Sequence, residues 1–223
     1  MPSDATKALI LLLALLHAKS LPGVYSLRSL SLFIKAHRLT EPAVGLLEAS
    51  KFQSRVWFDD LDLNIHLNNS SYNKMMDFAR IQHCTFIFPG WQYRHKFDMC
   101  LAQTVLFFKA EVPRFTKYTI TSRIFAWDDK WIWMQHRFSI KRKTRPLCCI
   151  AYSRMVAKHP KGKTIVPKLL FEKMGHKEAF PGEWEQYRLL GMSLIEGMMK
   201  IGDPTADMPT APRRLVNPTR ARI

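Results

Sequence analysis

Between Arg55 and Arg80 the chain reads RVWFDDLDLNIHLNNSSYNKMMDFAR, which sets three carboxylates, Asp59, Asp60 and Asp62, just ahead of an imidazole, His66, and two amides, Asn68 and Asn69. A carboxylate held in place by such neighbours can act as a nucleophile or as a base toward water. The same residue types also make turns and start helices, because Asp folds back on its own backbone and Asn accepts bonds from a helix's first free amides. Residue types alone leave both readings open. A cation site is the weaker alternative. Asp60, Asp62, Asn64 and His66 alternate like the opening of a calcium loop, but its sixth and twelfth positions hold Ile65 and Ser71, where Gly and Glu are required. The zinc motif HExxH is absent, so no metal is expected.

The elements around this turn follow from periodicity. Upstream, FQSRVWF (residues 52–58) alternates as a strand does. Downstream, Asn68, Asn69 and Ser70 are good helix caps, and Tyr72, Met75, Met76, Ala79, His83 and Phe86 recur at helical spacing. Phe78, Ile81 and Ile87 broaden that apolar face until it covers most of the circumference, which predicts a buried helix ending at Pro89 and Gly90. Four extended runs come next, residues 104–112, 118–127, 131–140 and 147–158, rich in β-branched and aromatic side chains and joined by short turns. Short connections imply an antiparallel meander. A single sheet can bury such a helix only by curling round it, which is the hotdog arrangement of an α+β protein. A split sandwich and an open sheet with one covering helix fit the order less well. A further helix is predicted over residues 182–202.

The chain of 223 residues suits one core with extensions, and 47% hydrophobic residues with 14 Phe and 6 Trp supply that core. The four cysteines, Cys84, Cys100, Cys148 and Cys149, show no CxxC or disulfide framework and read as reduced thiols. The net charge of +16 favours partners carrying phosphate or an anionic membrane surface. No zinc-finger spacing, RNA-recognition signature or basic zipper is present, so nucleic acid is not expected as a partner.

The first residues have their own composition. ALILLLALL (residues 8–16) matches the apolar part of a signal peptide in length and falls short of the roughly 20 residues of a spanning helix. An uncleaved anchor helped by the patch 27–34 is the favoured expectation. The basic residues that follow would then place the domain on the cytosolic side of an endomembrane such as the endoplasmic reticulum. A cleaved signal and a mitochondrial presequence are the alternatives, the latter because no acid occurs between Asp4 and Glu41. The resulting plan is a targeting segment and linker over 1–44, a main domain over 45–180, a helix over 181–204 and a disordered basic tail over 205–223.

The turn resembles a specific group. A strand, then Asp60-Leu61-Asp62, then His66-Leu67-Asn68-Asn69, Tyr72 and a helix carrying Ala79-Arg80 is similar to the 4-hydroxybenzoyl-CoA thioesterase-like group of hotdog proteins. FAWDDKWIWMQHRF (residues 125–138) is similar to its thioesterase superfamily member six branch, whose members also begin with a hydrophobic segment. The resemblance covers residues 45–160. It implies an acyl-CoA thioesterase with Asp62 as the catalytic carboxylate, with His66, Asn68 and Asn69 orienting it, and with Asp60, Ile65 and Tyr72 at the substrate. Backbone amides at the start of the central helix would polarise the thioester carbonyl. The resemblance also implies a homodimer or higher hotdog oligomer and no cofactor beyond the coenzyme A of the substrate. Arg114, Lys117 and the cluster 141–143 are candidates for holding coenzyme A phosphates. Many members carry Gly immediately before the His, where this chain has Ile65. That departure motivates a rival expectation, a non-catalytic hotdog protein that binds acyl-CoA or lipid or acts as a scaffold. A hotdog dehydratase or isomerase is a third, which the DxD ahead of HxNN favours less.

Overall fold

In the computed structural model, residues 2–201 are described. The predicted tail over 205–223 lies outside them. The order is α1 (Asp4–Leu16), α2 (Val24–Arg38), β1 (Ser50–Arg55), a 3-10 turn (Phe58–Asp60), α3 (Asn69–Ile87), β2 (Asp98–Phe108), β3 (Lys117–Trp127), β4 (Ile132–Ile140), β5 (Leu147–Lys158), α4 (Pro167–Lys173) and α5 (Glu183–Ile201). The five strands form one antiparallel sheet in the order β1-β3-β4-β5-β2. It curls round α3, so the fold is the expected hotdog.

Packing explains why α3 sits inside. Met75, Met76, Phe78 and Ala79 are buried against Tyr118, Ile120, Phe138, Cys149 and Ala151 of the sheet. Farther along α3, Cys84, Ile87 and the following Phe88 pack with Ile124, Met134, Met155 and Phe171. The sheet's outer face is covered in part by α5. Past a register shift between Ile124 and Ala126, Phe125 and Ala126 face outward, and with Trp133 they meet Ile195. Gly191 makes this contact possible, since a Cβ there would stand 2.1 Å from the Phe125 carbonyl oxygen.

Several boundaries differ from expectation. β1 stops at Arg55, because Val56 turns wholly into the core and Trp57 to Asp60 enter the 3-10 turn. β2 starts at Asp98, earlier than read, and ends at Phe108. The short helix α4, PKLLFEK, was not anticipated. At the start of the chain, the aliphatic run forms the 13-residue α1, roughly 20 Å long, with no buried residue. Among the described residues no helix is long and apolar enough to cross a membrane.

The inner face also carries a polar seam. Ser122 Oγ and His136 Nδ1 are 2.8 Å apart, His136 Nε2 lies 3.1 Å from Ser153 Oγ, and Arg80 of α3 donates to that hydroxyl at 3.0 Å while pairing with Asp77. His83 Nδ1 meets Ser50 Oγ at 2.9 Å. Burial, with a smaller contribution from His176, lowers the pKa of His83 to about 3. Burial, then Arg80 and His83, hold His136 well below the usual imidazole range. Both rings are therefore neutral in the folded protein, whereas the unfolded chain takes up their protons below about pH 6.5. Their contribution to stability is full above that pH and is lost as pH falls below it, for His83 until its folded value of about 3 is reached. Urea unfolding between pH 7 and 4 is expected to show this loss, and His83→Gln is expected to flatten the slope by one histidine's share; an unchanged slope would contradict the assignment.

Candidate functional site

Strand β1 delivers the chain to the mouth of the sheet, and the residues up to α3 fold back on themselves. Leu61 and Leu67 form an antiparallel bridge, closed by Asp62 N–H donating to His66 O (3.1 Å) and Ile65 N–H donating to Asp62 O (3.1 Å). His66 bridges in turn to Pro113, and Leu67 N–H donates to Val112 O, which fastens the loop to the segment leaving β2.

Within that loop Asp62 is the organising side chain. Its Oδ1 accepts from Asn64 N–H at 2.9 Å and more weakly from His66 N–H at 3.5 Å, and its Oδ2 lies 3.1 Å from His66 Nδ1. The imidazole's far nitrogen, Nε2, is 3.8 Å from Glu111 Oε1. Asp62 is 23% exposed and lines an open groove of about 670 Å³ together with Phe58, Leu61, Leu63, Asn64 and Asn68. Asn68 caps α3, its Oδ1 accepting from Ser70 N–H at 2.8 Å, so the positive end of a 19-residue helix dipole stands at this groove. A carboxylate held at both oxygens, with a helix N-terminus beside it, can attack a carbonyl or activate water while developing negative charge is stabilised. Phe58, a wall of the groove, meets Phe115 edge to face, with centroids 4.8 Å apart.

The other expected site residues separate. Asn69 is exposed in the first turn of α3. Asp60 has no exposure and points into the protein, where it accepts from Trp57 N–H at 2.9 Å and pairs with Lys19. The structure thus gives Asp60 an internal ion pair instead of a wall of the groove. Tyr72 is likewise buried, between Phe108 and Phe138, and burial raises its phenol pKa. Both were expected at the substrate, and within this chain each packs inward. Lys117 borders a second groove of about 640 Å³ with Arg55 and Lys141, whereas Arg114 lines neither groove. The buried thiols offer no rival nucleophile, since burial pushes Cys84 and Cys149 up to about 12. Sequence reasoning missed Glu111 and Lys19, because each reaches the turn from a distant part of the chain.

Ile65, the departure from Gly, has φ 60°. That left-handed conformation costs an L-residue roughly 1–2 kcal/mol and glycine almost nothing. The side chain is 54% exposed, so little burial is at stake. Ile65→Gly is therefore expected to stabilise the protein by about 0.5–1 kcal/mol after the loss of unfolded-chain restriction, read from denaturant unfolding; a net loss would refute the strain.

Comparison with known proteins agrees with this fold. Residues 56–167 match the thioesterase-like superfamily. A probable thioesterase of Saccharomyces cerevisiae is 30% identical over 173 residues, which span 70% of this chain and 74% of the yeast protein. Protein THEM6 of Xenopus laevis is 30% identical over 117 residues, 51% of this chain and 55% of the frog protein. Among solved structures, the 4-hydroxybenzoyl CoA thioesterase from Pseudomonas sp. strain CBS-3 aligns with a TM-score of 0.50 at 16% identity, covering 57% of this chain and 99% of that one. A Staphylococcus aureus protein solved in complex with CoA aligns with a TM-score of 0.50 at 14% identity, covering 61% and 98%. At such identities the structural likeness is one of fold, while the match over residues 56–167 and the yeast relative carry the assignment. The chain is a member of the thioesterase-like superfamily.

Proposed function

We propose that this protein hydrolyses an acyl-CoA thioester to the free acid and CoA, with Asp62 as the catalytic carboxylate. The observation that carries the reading is the Asp62 side chain, fixed by Asn64 N–H and His66 Nδ1 and set in an open groove at the capped start of α3. Asp62 either attacks the thioester carbonyl carbon, expelling the CoA thiolate and leaving an acyl anhydride that water then cleaves to the free acid, or removes a proton from a water that attacks the carbonyl, the CoA thiolate leaving as the tetrahedral intermediate collapses. In both routes His66 orients the carboxylate, and the α3 N-terminus stabilises the oxyanion.

The second groove supports a place for the anionic end of CoA. Arg55, Lys117 and Lys141 line it, and Arg55 leads directly through Val56 into the acidic turn. The rim of β2 supports a dimer: it is one of the sheet's two edge strands, with Leu101, Phe107 and Phe108 exposed, a pattern that invites pairing with a second copy. The aliphatic surface of α1 and α2, including Leu9, Leu11, Leu12, Leu27 and Ile34, supports attachment to a membrane surface. Lys7, Arg28 and Lys35 lie along the same pair, and the helices are suited to lie in the interface. The basic residues that follow the aliphatic run support a domain on the cytosolic face of an endomembrane.

The rival is an acyl-CoA-binding protein without turnover, motivated by Ile65. Full-length protein assayed with acyl-CoAs of several chain lengths separates the two. Asp62→Asn is expected to lower kcat roughly 100-fold or more with KM little changed. Hydrolysis unaffected by the substitution would remove Asp62 from the chemistry, and tight binding without turnover in the unmodified protein would favour the rival. The double variant Lys117→Ala/Lys141→Ala is expected to raise KM for acyl-CoA roughly 5-fold at low salt, and less at high salt, with kcat retained. An acyl thioester lacking the nucleotide should show no such change; an equal rise for that substrate would exclude this groove as the CoA phosphate site.

A further inference from the structure

We infer that Lys19 is a positioning residue for the Asp62 loop, so that the turn between α1 and α2 is a working part of the site; the inference rests on the thioesterase reading above. Lys19 stands 40 residues ahead of Asp59 in sequence, yet its amide donates to Asp59 Oδ2 at 2.8 Å. Its ammonium donates to the Asp60 carboxylate and to the Arg55 carbonyl. From the end of α1, Leu15 O accepts from Trp57 Nε1 at 2.7 Å. The N-terminal turn is thus fastened to both ends of the segment that brings β1 into the site.

Asp60 relays this contact inward. Its side chain has no exposure, and its second carboxylate oxygen has no hydrogen-bond partner among the described residues, so the carboxylate depends on the Trp57 amide and on Lys19. A charge buried this way is strongly disfavoured once its partner is removed. The main-chain carbonyl of Asp60 accepts from Asn68 N–H at 2.8 Å and from Ser71 Oγ at 3.4 Å. Asn68 is the cap of α3 and a wall of the Asp62 groove. Without the ammonium, the buried Asp60 carboxylate loses its charge partner and is driven to turn toward water. That turn shifts the carbonyl that holds the helix cap, with Asp62 two residues farther on. The two acids of the DxD thereby divide their work: Asp60 is tied to the N-terminal turn and Asp62 is presented to the groove. A folded domain lacking the residues through Lys19 would leave Asp60 buried and unpaired, which makes the segment more than a removable leader.

The test uses the full chain in detergent micelles, comparing Lys19→Met with Lys19→Arg. Lys19→Met is expected to lower kcat roughly 10- to 100-fold with KM within about 2-fold, as a misplaced reacting group does. It is also expected to speed amide hydrogen exchange selectively across residues 61–71, and Lys19→Arg is expected to restore most of both. Unchanged kcat, or faster exchange spread evenly over the sheet, would reduce Lys19 to general stability and overturn the inference. Exchange requires no turnover, so a protein that hydrolyses no thioester would sink the thioesterase reading while residues 61–71 still report on the coupling. If Lys19→Met does not fold, Lys19→Met/Asp60→Asn removes both charges. Local exchange over 61–71 should then remain faster than in the unmodified protein, and exchange equal to it would again overturn the inference.

Discussion

The enclosure of α3 is the constraint on which the rest of this structure depends. A helix with Tyr72, Met75, Met76, Phe78, Ala79, Cys84 and Ile87 all buried cannot rest on one side of a flat sheet, because the opposite stripe would stay in water. The sheet meets most of the demand by curling, with register shifts between Leu101 and Gln103, between Ile124 and Ala126 and between Phe138 and Ser139 of a kind that adds local twist, while α2 lays Tyr25 and Arg28 against Phe78. Enclosure has a polar consequence as well. Arg80 and His83 are carried inside with the apolar stripe, so the sheet must supply partners, and Ser153, Ser122, His136 and Ser50 lie on its inner face where those two residues meet it.

The same constraint locates the site. A helix wrapped along its length offers chemistry only at an open end, and the N-terminus of α3 is the end where backbone amides and the dipole favour developing negative charge. The chain reaches that end from β1 and has few residues in which to reverse. The 3-10 turn, the Leu61–Leu67 bridge and the left-handed Ile65 accomplish the reversal, and Asp62 is the side chain around which the loop closes. Loop closure and a presented carboxylate are therefore one arrangement, which is why turn-making and reactive readings of the same residues were inseparable from composition.

Much of the architecture was legible because it is local. Helical spacing from Tyr72 to Ile87 and the β-branched, aromatic run over residues 118–127 survive as α3 and β3 almost residue for residue. The pairing of Asp62 with His66 was accessible too, since both belong to one tight turn. What escaped depends on distance along the chain. Glu111 meets His66 only because the end of β2 is bridged to the loop, and Lys19 meets Asp60 only because the N-terminal turn lies against the end of β1. No periodicity encodes either. Asp60 and Asp62 were both expected at the site, one at the substrate and one as the catalytic carboxylate, but the 3-10 turn gives way to extended backbone at Leu61, and the two side chains part, one inward and one to the groove. Helix α4 was hidden for another reason: seven residues between Val166 and Met174 are too few for a helical period to repeat.

Ile65 shows how a departure from a family pattern must be divided before it can be weighed. A glycine at that position serves two needs, a backbone with positive φ and an unobstructed approach for substrate. The structure separates them. The first need is still imposed, since Ile65 holds φ 60° even though β-branching makes that conformation unfavourable. The second is met without glycine, because the groove beside Asp62 is lined by Phe58, Leu61, Leu63, Asn64 and Asn68 and not by Ile65. A substitution that strained the loop and also closed the groove would have favoured a protein that retains its pocket after losing turnover. Strain with the groove left open instead leaves Asp62 accessible and its loop closed on His66, so the cost of the isoleucine falls on the backbone of the loop.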